Sequence, residues 1–264
     1  MSGLFDLPAP VLGALDAWLA PFAGDGLRLL GWAAAGGASS IALHAWAADR
    51  RALDAVRAAL RATHRALAAY DGDPNGLRAL ASEAMRLSAR QLRLNLRPAI
   101  VAALPLMFLL PWISNQFGMA RPAAGESVMV CVEPIEAAST IRGDGVAPGP
   151  ASAAGCLQIA WPAGSATLED AQARTLARLP AASVSGVVHP PSAWDWLVAN
   201  PAGTLPMDSP VRRLSLALRP REHFSVGPAW LRGWEAAFAA GALLGAAAAA
   251  AARAARLRAS RQVE

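Results

Sequence analysis

Three apolar segments, each long enough to cross a lipid bilayer as a helix, constrain this chain more than any other feature. They cover residues 27–47, 99–118 and 229–252, and a helix needs about 20 mostly apolar residues to cross the hydrocarbon core. The third is rich in alanine and could instead be a buried core helix, but Trp230 and Trp234 favour a membrane–water interface. Only 16% of the chain is charged, against about 25% in an ordinary soluble domain. We therefore predict an α-helical membrane protein with three transmembrane helices.

The charges outside these segments predict how the chain crosses the membrane. Residues 1–26 carry acids and no arginine, whereas residues 48–98 carry ten arginines against five acids. Residues 119–228 are nearly balanced, with eight arginines and nine acids, and the tail at 253–264 is basic. Because positive residues accumulate on the cytoplasmic side, we expect the N-terminus and residues 119–228 outside, and residues 48–98 and the C-terminus in the cytoplasm. This topology predicts a multi-pass protein of the plasma, or inner, membrane.

The extracytoplasmic N-terminal segment, residues 1–26, is not expected to span the membrane. It lacks the basic start of a cleavable signal peptide, and prolines interrupt its apolar stretch at 7–22. It is predicted to be either a short interfacial helix on the outer face or a plain surface segment.

Residues 48–98 are predicted to form an antiparallel helical hairpin. Apolar or weakly polar side chains recur at spacings of three and four in both halves, which is the pattern of an amphipathic helix. They are Leu53, Val56, Leu60, His64 and Leu67 in the first half and Leu80, Ala84, Leu87, Gln91 and Leu94 in the second. The sequence DGDPNG at 71–76 is a strong turn signal, because glycine frees φ and proline ends a helix. Two such helices joined by a short turn pack along their apolar stripes.

Arginines form a basic face on this hairpin. They are Arg57, Arg61, Arg65, Arg86, Arg90 and Arg93. The face is either a solvated surface that reflects the cytoplasmic charge excess, or a contact for acidic partners such as anionic lipid, ribosomal RNA or a nascent chain. Aromatic residues for base stacking are absent from it, so sequence-specific nucleic-acid binding is not expected.

The stretch YDGDPNGLRALASEAMRLSARQLRLNLRPAIVAALPLMFLLPWI, residues 70–113, resembles the hairpin turn, second hairpin helix and proline-containing membrane helix of the YidC/Oxa superfamily of membrane-protein insertases. The predicted order of elements is also similar to that superfamily, and most similar to its compact three-helix branch. The resemblance covers residues 27–118 and the last helix. It implies a polar groove, open to the cytoplasm within the inner leaflet, that lowers the cost of moving a client's polar flank into lipid. No covalent chemistry and no cofactor is implied.

The resemblance implies that polar residues of the first segment line this groove. The candidates are Ser39, Ser40 and His44, of which Ser40 and His44 share a helix face. Bacterial YidC proteins carry an arginine in this helix, and the matching position falls near Ser39 or Ser40, so the usual groove cation is missing there. The alternative is that the two serines allow close helix packing and that His44 lies near the membrane interface.

Two further pairs of residues are expected to shape the membrane helices. Pro105 and Pro111 remove backbone donors and could kink the second helix around a cavity, although membrane helices also tolerate proline without a role. Gly241 and Gly245 form a GxxxG pair in the third helix, which allows another helix to approach closely. We expect that helix to be one of the first two, with homodimerisation as the alternative.

The extracytoplasmic region, residues 119–228, is much longer than a compact insertase needs and is predicted to be a small α+β or mostly β domain. Candidate strands cover residues 127–133, 156–161, 183–188 and 213–218. Residues 168–179 are predicted to be a helix, because Thr167 could cap it and two acids follow in its first turn.

Cys131 and Cys156 both lie in this region, and in an oxidising compartment a disulfide is favoured over two free thiols. Closing a loop of this size would stabilise the fold by about 3–4 kcal/mol. His189 and His223 are isolated in the sequence, so no metal site is expected. Motifs for a nucleophile elbow, paired catalytic carboxylates or a phosphate-binding loop are absent as well.

These features favour a non-enzymatic insertase or assembly factor, a chaperone for nascent membrane proteins, with the ribosome or other membrane-complex subunits as further partners. The alternative is a signalling or scaffold protein whose extracytoplasmic domain binds a ligand or partner. A third hypothesis, an intramembrane protease using Ser39 or Ser40 with His44, is disfavoured, because three helices shield a hydrolytic site poorly and no oxyanion-hole motif accompanies the serines.

Overall fold

The computed structural model describes residues 3–144, 154–164, 166–179, 186–200 and 203–262. The helices are α1 (Ala9–Leu19), α2 (Asp25–Ala47), α3 (Arg50–Ala68), α4 (Pro74–Phe117), α5 (Ala229–Arg232) and α6 (Trp234–Gln262). The strands are β1 (Ser127–Glu133), β2 (Arg142–Asp144), β3 (Cys156–Ala160), β4 (Ala166–Glu169), β5 (Thr175–Leu179), β6 (Val187–Val188) and β7 (Arg213–Leu216). The fold is therefore mixed, with long helices and a small sheet domain.

Two helices are long and apolar enough to cross a membrane. They are α4, which contains the second apolar segment, and the Trp234–Arg256 part of α6, which contains residues 234–252 of the third. The predicted start of the third segment at residue 229 falls in the separate short helix α5. The remaining apolar segment forms α2, which has 23 residues but is less apolar, because glycine, serine, Arg28 and His44 interrupt it. The membrane-helix prediction is thus supported by length and composition for α4 and α6.

α4 is a single helix of 44 residues, although the sequence suggested a hairpin helix followed by a separate membrane helix. Pro98, Pro105 and Pro111 lie inside it without ending it. A proline in a helix removes one backbone donor and crowds the preceding turn, and apolar helices accommodate this where neighbouring groups satisfy the freed carbonyl. The predicted boundary near residue 98 is therefore not a break in secondary structure.

The turn between α3 and α4 forms where the sequence predicted it. Asp73 precedes α4 and accepts a hydrogen bond from the Asn75 N–H at 3.1 Å, and the Tyr70 hydroxyl donates to the Asp73 side chain at 3.0 Å. Asp49 caps α3 by accepting from the Ala52 N–H. The predicted apolar stripes lie inward at their centres, where Leu53, Val56, Ala84 and Leu87 are buried.

The sheet domain contains two antiparallel sheets. One has the strand order β3-β1-β7-β6 and the other the order β2-β4-β5. The alternation in β1 buries Val128, Val130 and Val132 and exposes their neighbours, as expected for a strand with one face on a core. Side chains from both sheets form that core, including Ile159, Leu168 and Leu214.

The helix predicted at residues 168–179 is wrong, because these residues end β4, make a turn and form β5. The two acids assigned to a first helical turn act differently. Glu169 ends β4, and Asp170 is a buried turn residue that accepts hydrogen bonds from the backbone N–H groups of Gln172 and Arg174 at 2.9 and 3.0 Å. Burial of apolar groups on both strands outweighs local helix propensity here.

The other strand predictions match, with one strand at its predicted bounds and the others shorter. β1 has the predicted bounds, β3 ends at Ala160 and β7 ends at Leu216. Of the strand predicted at 183–188, only Val187–Val188 is a described strand, and residues 183–185 lie outside the described residues. The predicted α+β or mostly β domain is mostly β where it is described.

Cys131 and Cys156 form a disulfide bond. They are directly opposite each other in the ladder of β1 and β3, so the bond joins two neighbouring strands. The cross-link closes a sequence separation of 25 residues.

The chain divides into two compact units. The first contains Met1–Ala33 and Met107–Gly241, which include the sheet domain, and the second contains Ala34–Leu106 and Ala242–Glu264.

Candidate functional site

Small residues bring α2 and α6 into close contact in the second unit. A Cβ atom added to Gly37 of α2 would overlap the backbone carbonyl group of Ala242, and one added to Gly245 of α6 would overlap that of Ala34. In the first unit, a Cβ added to Gly241 would lie only 2.7 Å from the Cβ of Ala33. The two glycines of the GxxxG pair therefore face α2.

Beyond this contact, α2 and α6 border an open cavity of about 490 Å³. Its walls are mostly alanine and Ile41, with polar groups from Ser39 on α2 and from Arg253 and Arg256 on α6. A second cavity of about 220 Å³ is lined by His44, Asp54, Arg57 and Arg253, among others. Because Arg253 lines both cavities, we call the two together the arginine groove.

The cations of the arginine groove lie on a different helix from the cation that is usual in the superfamily that the chain resembles. The resemblance implied a groove that lacks the usual cation of the first helix and is lined by Ser39, Ser40 and His44. The arginine groove does contain guanidinium groups, and they come from Arg253 and Arg256, near the end of α6. A wall of apolar side chains with cations at one end suits a ligand or segment that is apolar along its length and polar or anionic at its flank.

The three groove candidates of α2 have different environments. Ser39 and His44 line the first and second cavities respectively. The Ser40 hydroxyl oxygen is buried and has no hydrogen-bond partner among the described residues, and Ser40 lines neither cavity. Within the described part of the chain, no hydrogen bond joins either serine to His44, so no nucleophile–base pair is assembled there.

The arginines of the hairpin face solvent. Arg57, Arg61, Arg65, Arg86, Arg90 and Arg93 are all exposed. Arg57 lies 3.7 Å from Asp54 and Arg86 lies 2.7 Å from Glu83 on their own helices. Exposed pairs of this kind contribute little to stability.

A buried polar cluster lies in the first unit, and sequence reasoning missed it. Asp16 of α1 is fully buried, and its carboxylate is paired with Arg28 of α2. It also accepts hydrogen bonds from Trp32 Nε1 at 3.0 Å and from Gln116 Nε2 at 3.3 Å. The side chain of Asp16 therefore joins α1 to both α2 and α4.

The cluster continues from Arg28 toward the segment that follows β7. Arg28 also pairs with Asp25, and Arg221 donates to the other carboxylate oxygen of Asp25 at 2.6 Å. The Arg28 guanidinium lies 5.6 Å from the centroid of the Phe117 ring. The Nε2 atom of His223 lies 2.9 Å from the carbonyl oxygen of Phe117, which can only accept, so that nitrogen carries the proton in this contact.

One signal in the sequence could have found this cluster. Arg28 is the single arginine inside the first apolar segment and follows Asp25 by three residues, a spacing that places both on one helix face. A charge within an apolar segment needs a buried partner, and Asp16 is the acid that precedes it across a turn.

Comparisons with protein-family models, with curated proteins and with solved structures find no match to this chain. Among the described residues, no group of three or more histidine, cysteine, aspartate or glutamate side chains could hold a metal ion.

Proposed function

We propose that this protein is a membrane-protein insertase or assembly factor of the plasma membrane, which eases the transfer of client transmembrane segments into the bilayer without covalent chemistry. In this proposal α2, α4 and α6 all cross the membrane, the α3–α4 hairpin and the C-terminus are cytoplasmic, and the sheet domain is outside. The observation that carries the proposal is the arginine groove.

The arrangement of groups in the arginine groove supports this function. A client helix can enter lipid only after its polar flank loses water, and each unsatisfied polar group in hydrocarbon costs several kcal/mol. Arg253, Arg256, Ser39 and His44 supply donors to such a flank, while the alanine and isoleucine wall receives its apolar part. Binding the flank lowers the desolvation barrier, and lateral movement then releases the apolar helix into lipid.

The hairpin supplies the approach to the groove in this mechanism. Its exposed arginines create a positive field around the cytoplasmic entrance, which attracts acidic polypeptide or ribosomal RNA over about 8–10 Å at physiological salt. Arg57 belongs to both surfaces, since it lines the second cavity and lies on α3. A client would thus pass from a solvated basic surface to a partly enclosed one.

The decisive experiment reconstitutes the full-length protein in liposomes and measures insertion of a small membrane protein with a short translocated tail by protease protection. Arg253→Ala/Arg256→Ala should lower insertion several-fold, because the groove loses both guanidinium groups. Arg258→Ala is the matched control, since Arg258 is on the same helix, is exposed and lines neither cavity. Equal insertion by the double variant and the wild type, or by empty liposomes, would refute the proposal.

Copurification separates this function from the signalling or scaffold alternative. From native membranes, an insertase should retain ribosomes or nascent membrane proteins. A fixed extracytoplasmic partner, retained equally by the Arg253→Ala/Arg256→Ala variant, would favour the alternative.

A further inference from the structure

The N-terminal helix exposes apolar side chains along one face. The large apolar residues Val11, Leu15 and Trp18 of α1 are exposed, with Leu7 before the helix and Phe22 after it. Their spacings of four, four, three and four residues place them in one stripe of a helix. Their exposed fractions range from 47% at Leu15 to 76% at Phe22, so no other element covers the stripe among the described residues.

This helix lies beside the apolar part of α4. The ring of Phe5 packs edge-on against Phe108, with ring centroids 5.5 Å apart. A Cβ atom added to Gly13 would lie 3.9 Å from Nε1 of Trp112, and Asp16 is hydrogen-bonded to Gln116. These contacts advance along both helices in the same direction, so α1 runs alongside the last part of the 99–118 apolar segment.

The loop before β7 extends the exposed apolar surface. The N–H groups of Leu4 and Phe5 donate to the carbonyl oxygens of Trp196 and Leu197 at 2.8 and 2.9 Å, which ties residues 192–198 to the start of α1. Trp194 and Trp196 are 74% and 62% exposed. Tryptophan is the side chain that most favours the membrane–water interface. We call the stripe of α1 and these two indoles the aromatic surface.

Each carboxylate near this surface has a hydrogen-bonding partner within the protein. Asp16 is paired with Arg28. Asp6 accepts from the N–H groups of Gly3 at 3.2 Å and Ala199 at 2.8 Å, and Asp195 accepts from the Ser192 N–H at 2.6 Å. Residues 3–24 contain no arginine, lysine or histidine. A water-facing surface needs no such arrangement, whereas a lipid-facing one does, because lipid offers no hydrogen bonds.

We infer that α1 is embedded in the outer leaflet beside α4, without crossing the bilayer, and that the aromatic surface contacts lipid. The inference rests on α4 crossing the membrane, as in the proposed function, and not on insertase activity. The occupant is the bilayer itself: acyl chains meet Val11 and Leu15, and Trp18, toward the end of α1 that lies beside Gln116, meets the headgroup boundary. α1 thus acts as a short outer-leaflet anchor for the first unit.

The test uses full-length protein in liposomes with an environment-sensitive fluorophore on a single added cysteine. Val11→Cys and Leu15→Cys carry the probe at the aromatic surface. Leu110→Cys, on the exposed side of α4, is the membrane reference, and Met207→Cys, an exposed position of the first unit, is the water reference. Two quenchers are applied, a water-soluble reductant and a lipid with a nitroxide on its acyl chain.

The expected result is that probes at 11 and 15 behave like the probe at 110, protected from the reductant and quenched by the nitroxide lipid. If the probe at position 110 is in lipid while the probes at positions 11 and 15 are as accessible to the reductant as the probe at position 207, the inference is overturned. The proposal that α4 crosses the membrane would still stand. Protection from both quenchers at 11 and 15 would mean a protein partner covers α1, which also overturns it. Reductant access at position 110 would remove the basis of both the inference and the topology.

Discussion

Asp16 is a fully buried carboxylate that depends on its partners. It is stabilised by Arg28, Trp32 and Gln116, and Arg28 is itself only 9% exposed. Removing one member of a buried ion pair leaves the other charge uncompensated, which is more costly than replacing both.

We therefore expect Asp16→Ala to lower the free energy of unfolding by about 3–5 kcal/mol. The double variant Asp16→Leu/Arg28→Met should recover most of that loss, because no buried charge remains. Denaturant unfolding in detergent micelles measures both, and Glu83→Ala, which removes an exposed pair with Arg86, is the control at about 0.5 kcal/mol or less. If Asp16→Ala were as stable as the Glu83→Ala control, the buried ion pair of Asp16 with Arg28 would be contradicted.

Asp170 gives the sheet domain a pH-dependent stability. Burial alone would raise the pKa of Asp170, but hydrogen bonds from the backbone and side chain of Arg174 outweigh burial, and the pKa lies below its ordinary value. A carboxyl with a lowered pKa in the folded state stabilises it at neutral pH, and this contribution is lost as the pH falls below about 4.

The unfolding free energy of the wild type should therefore decline on acidification more steeply than that of Asp170→Asn, with the difference between them shrinking below about pH 4. Thermal unfolding of the full-length protein at a series of pH values measures this difference. Parallel profiles for the two proteins would show that Asp170 does not contribute through its charge.

At the scale of elements, the packing of α2 against α6 depends on glycine. The backbone of Ala34 occupies the space that a Cβ atom on Gly245 would need. A Cβ atom added to Gly31 would meet nothing within 4 Å. The same substitution at these two positions should thus have opposite effects.

Gly245→Ala should destabilise the protein by about 1–3 kcal/mol, because the new methyl group forces the helices apart. Gly31→Ala should be neutral or stabilise it by about 0.5–1 kcal/mol, since alanine has the higher helix propensity. Unfolding of each variant in the same detergent gives the comparison. Equal changes at both positions would argue against the close contact.

The disulfide between β1 and β3 should account for a measurable part of the sheet domain's stability. In the chain-entropy model, a closed loop of this size contributes about 3–4 kcal/mol. Cys131→Ser/Cys156→Ser should therefore lower the unfolding temperature of the full-length protein, and reductant should lower the wild type to the same value without affecting the variant. Insensitivity of the wild type to reductant would contradict this.

The elements that the sequence predicted well are those with a repeated pattern over many residues. The apolar stripe that includes Leu53 and Val56 repeats at helical spacing along α3, and buried and exposed side chains alternate over the seven residues of β1. The 168–179 segment failed because its apparent helix signals, a threonine and two acids, also suit a strand and a tight turn. Asp170 pairs with Arg174, and Arg174 in turn pairs with Asp208, which is 38 residues away from Asp170 in sequence.

Over the whole molecule, the proposed topology places the hairpin and the sheet domain on opposite sides of the membrane. Arg90→Cys on the hairpin and Met129→Cys on β1 are both exposed positions. In intact cells, a membrane-impermeant thiol reagent should label position 129 and leave position 90 unlabelled until the membrane is opened. The reverse pattern would invert the topology and remove the groove from the cytoplasmic side.

The candidate site was only half predictable at this scale. The resemblance led to Ser39, Ser40 and His44, of which Ser39 and His44 line the cavities, but Arg253 and Arg256 looked like an ordinary basic tail. Their place in the arginine groove depends on how far α6 continues past the apolar segment, since the helix extends to Gln262. Helix length beyond an apolar run is set by local propensity and packing, which charge counting does not report.

The strand order of the larger sheet has a consequence for how the protein is made. β7 lies between β1 and β6, yet it is synthesised after both of them. Until residues 213–216 emerge, β1 has one unpaired edge, and unpaired edges invite wrong partners. Only a short stretch separates β7 from α6, so the larger sheet cannot be completed until synthesis has reached almost as far as α6.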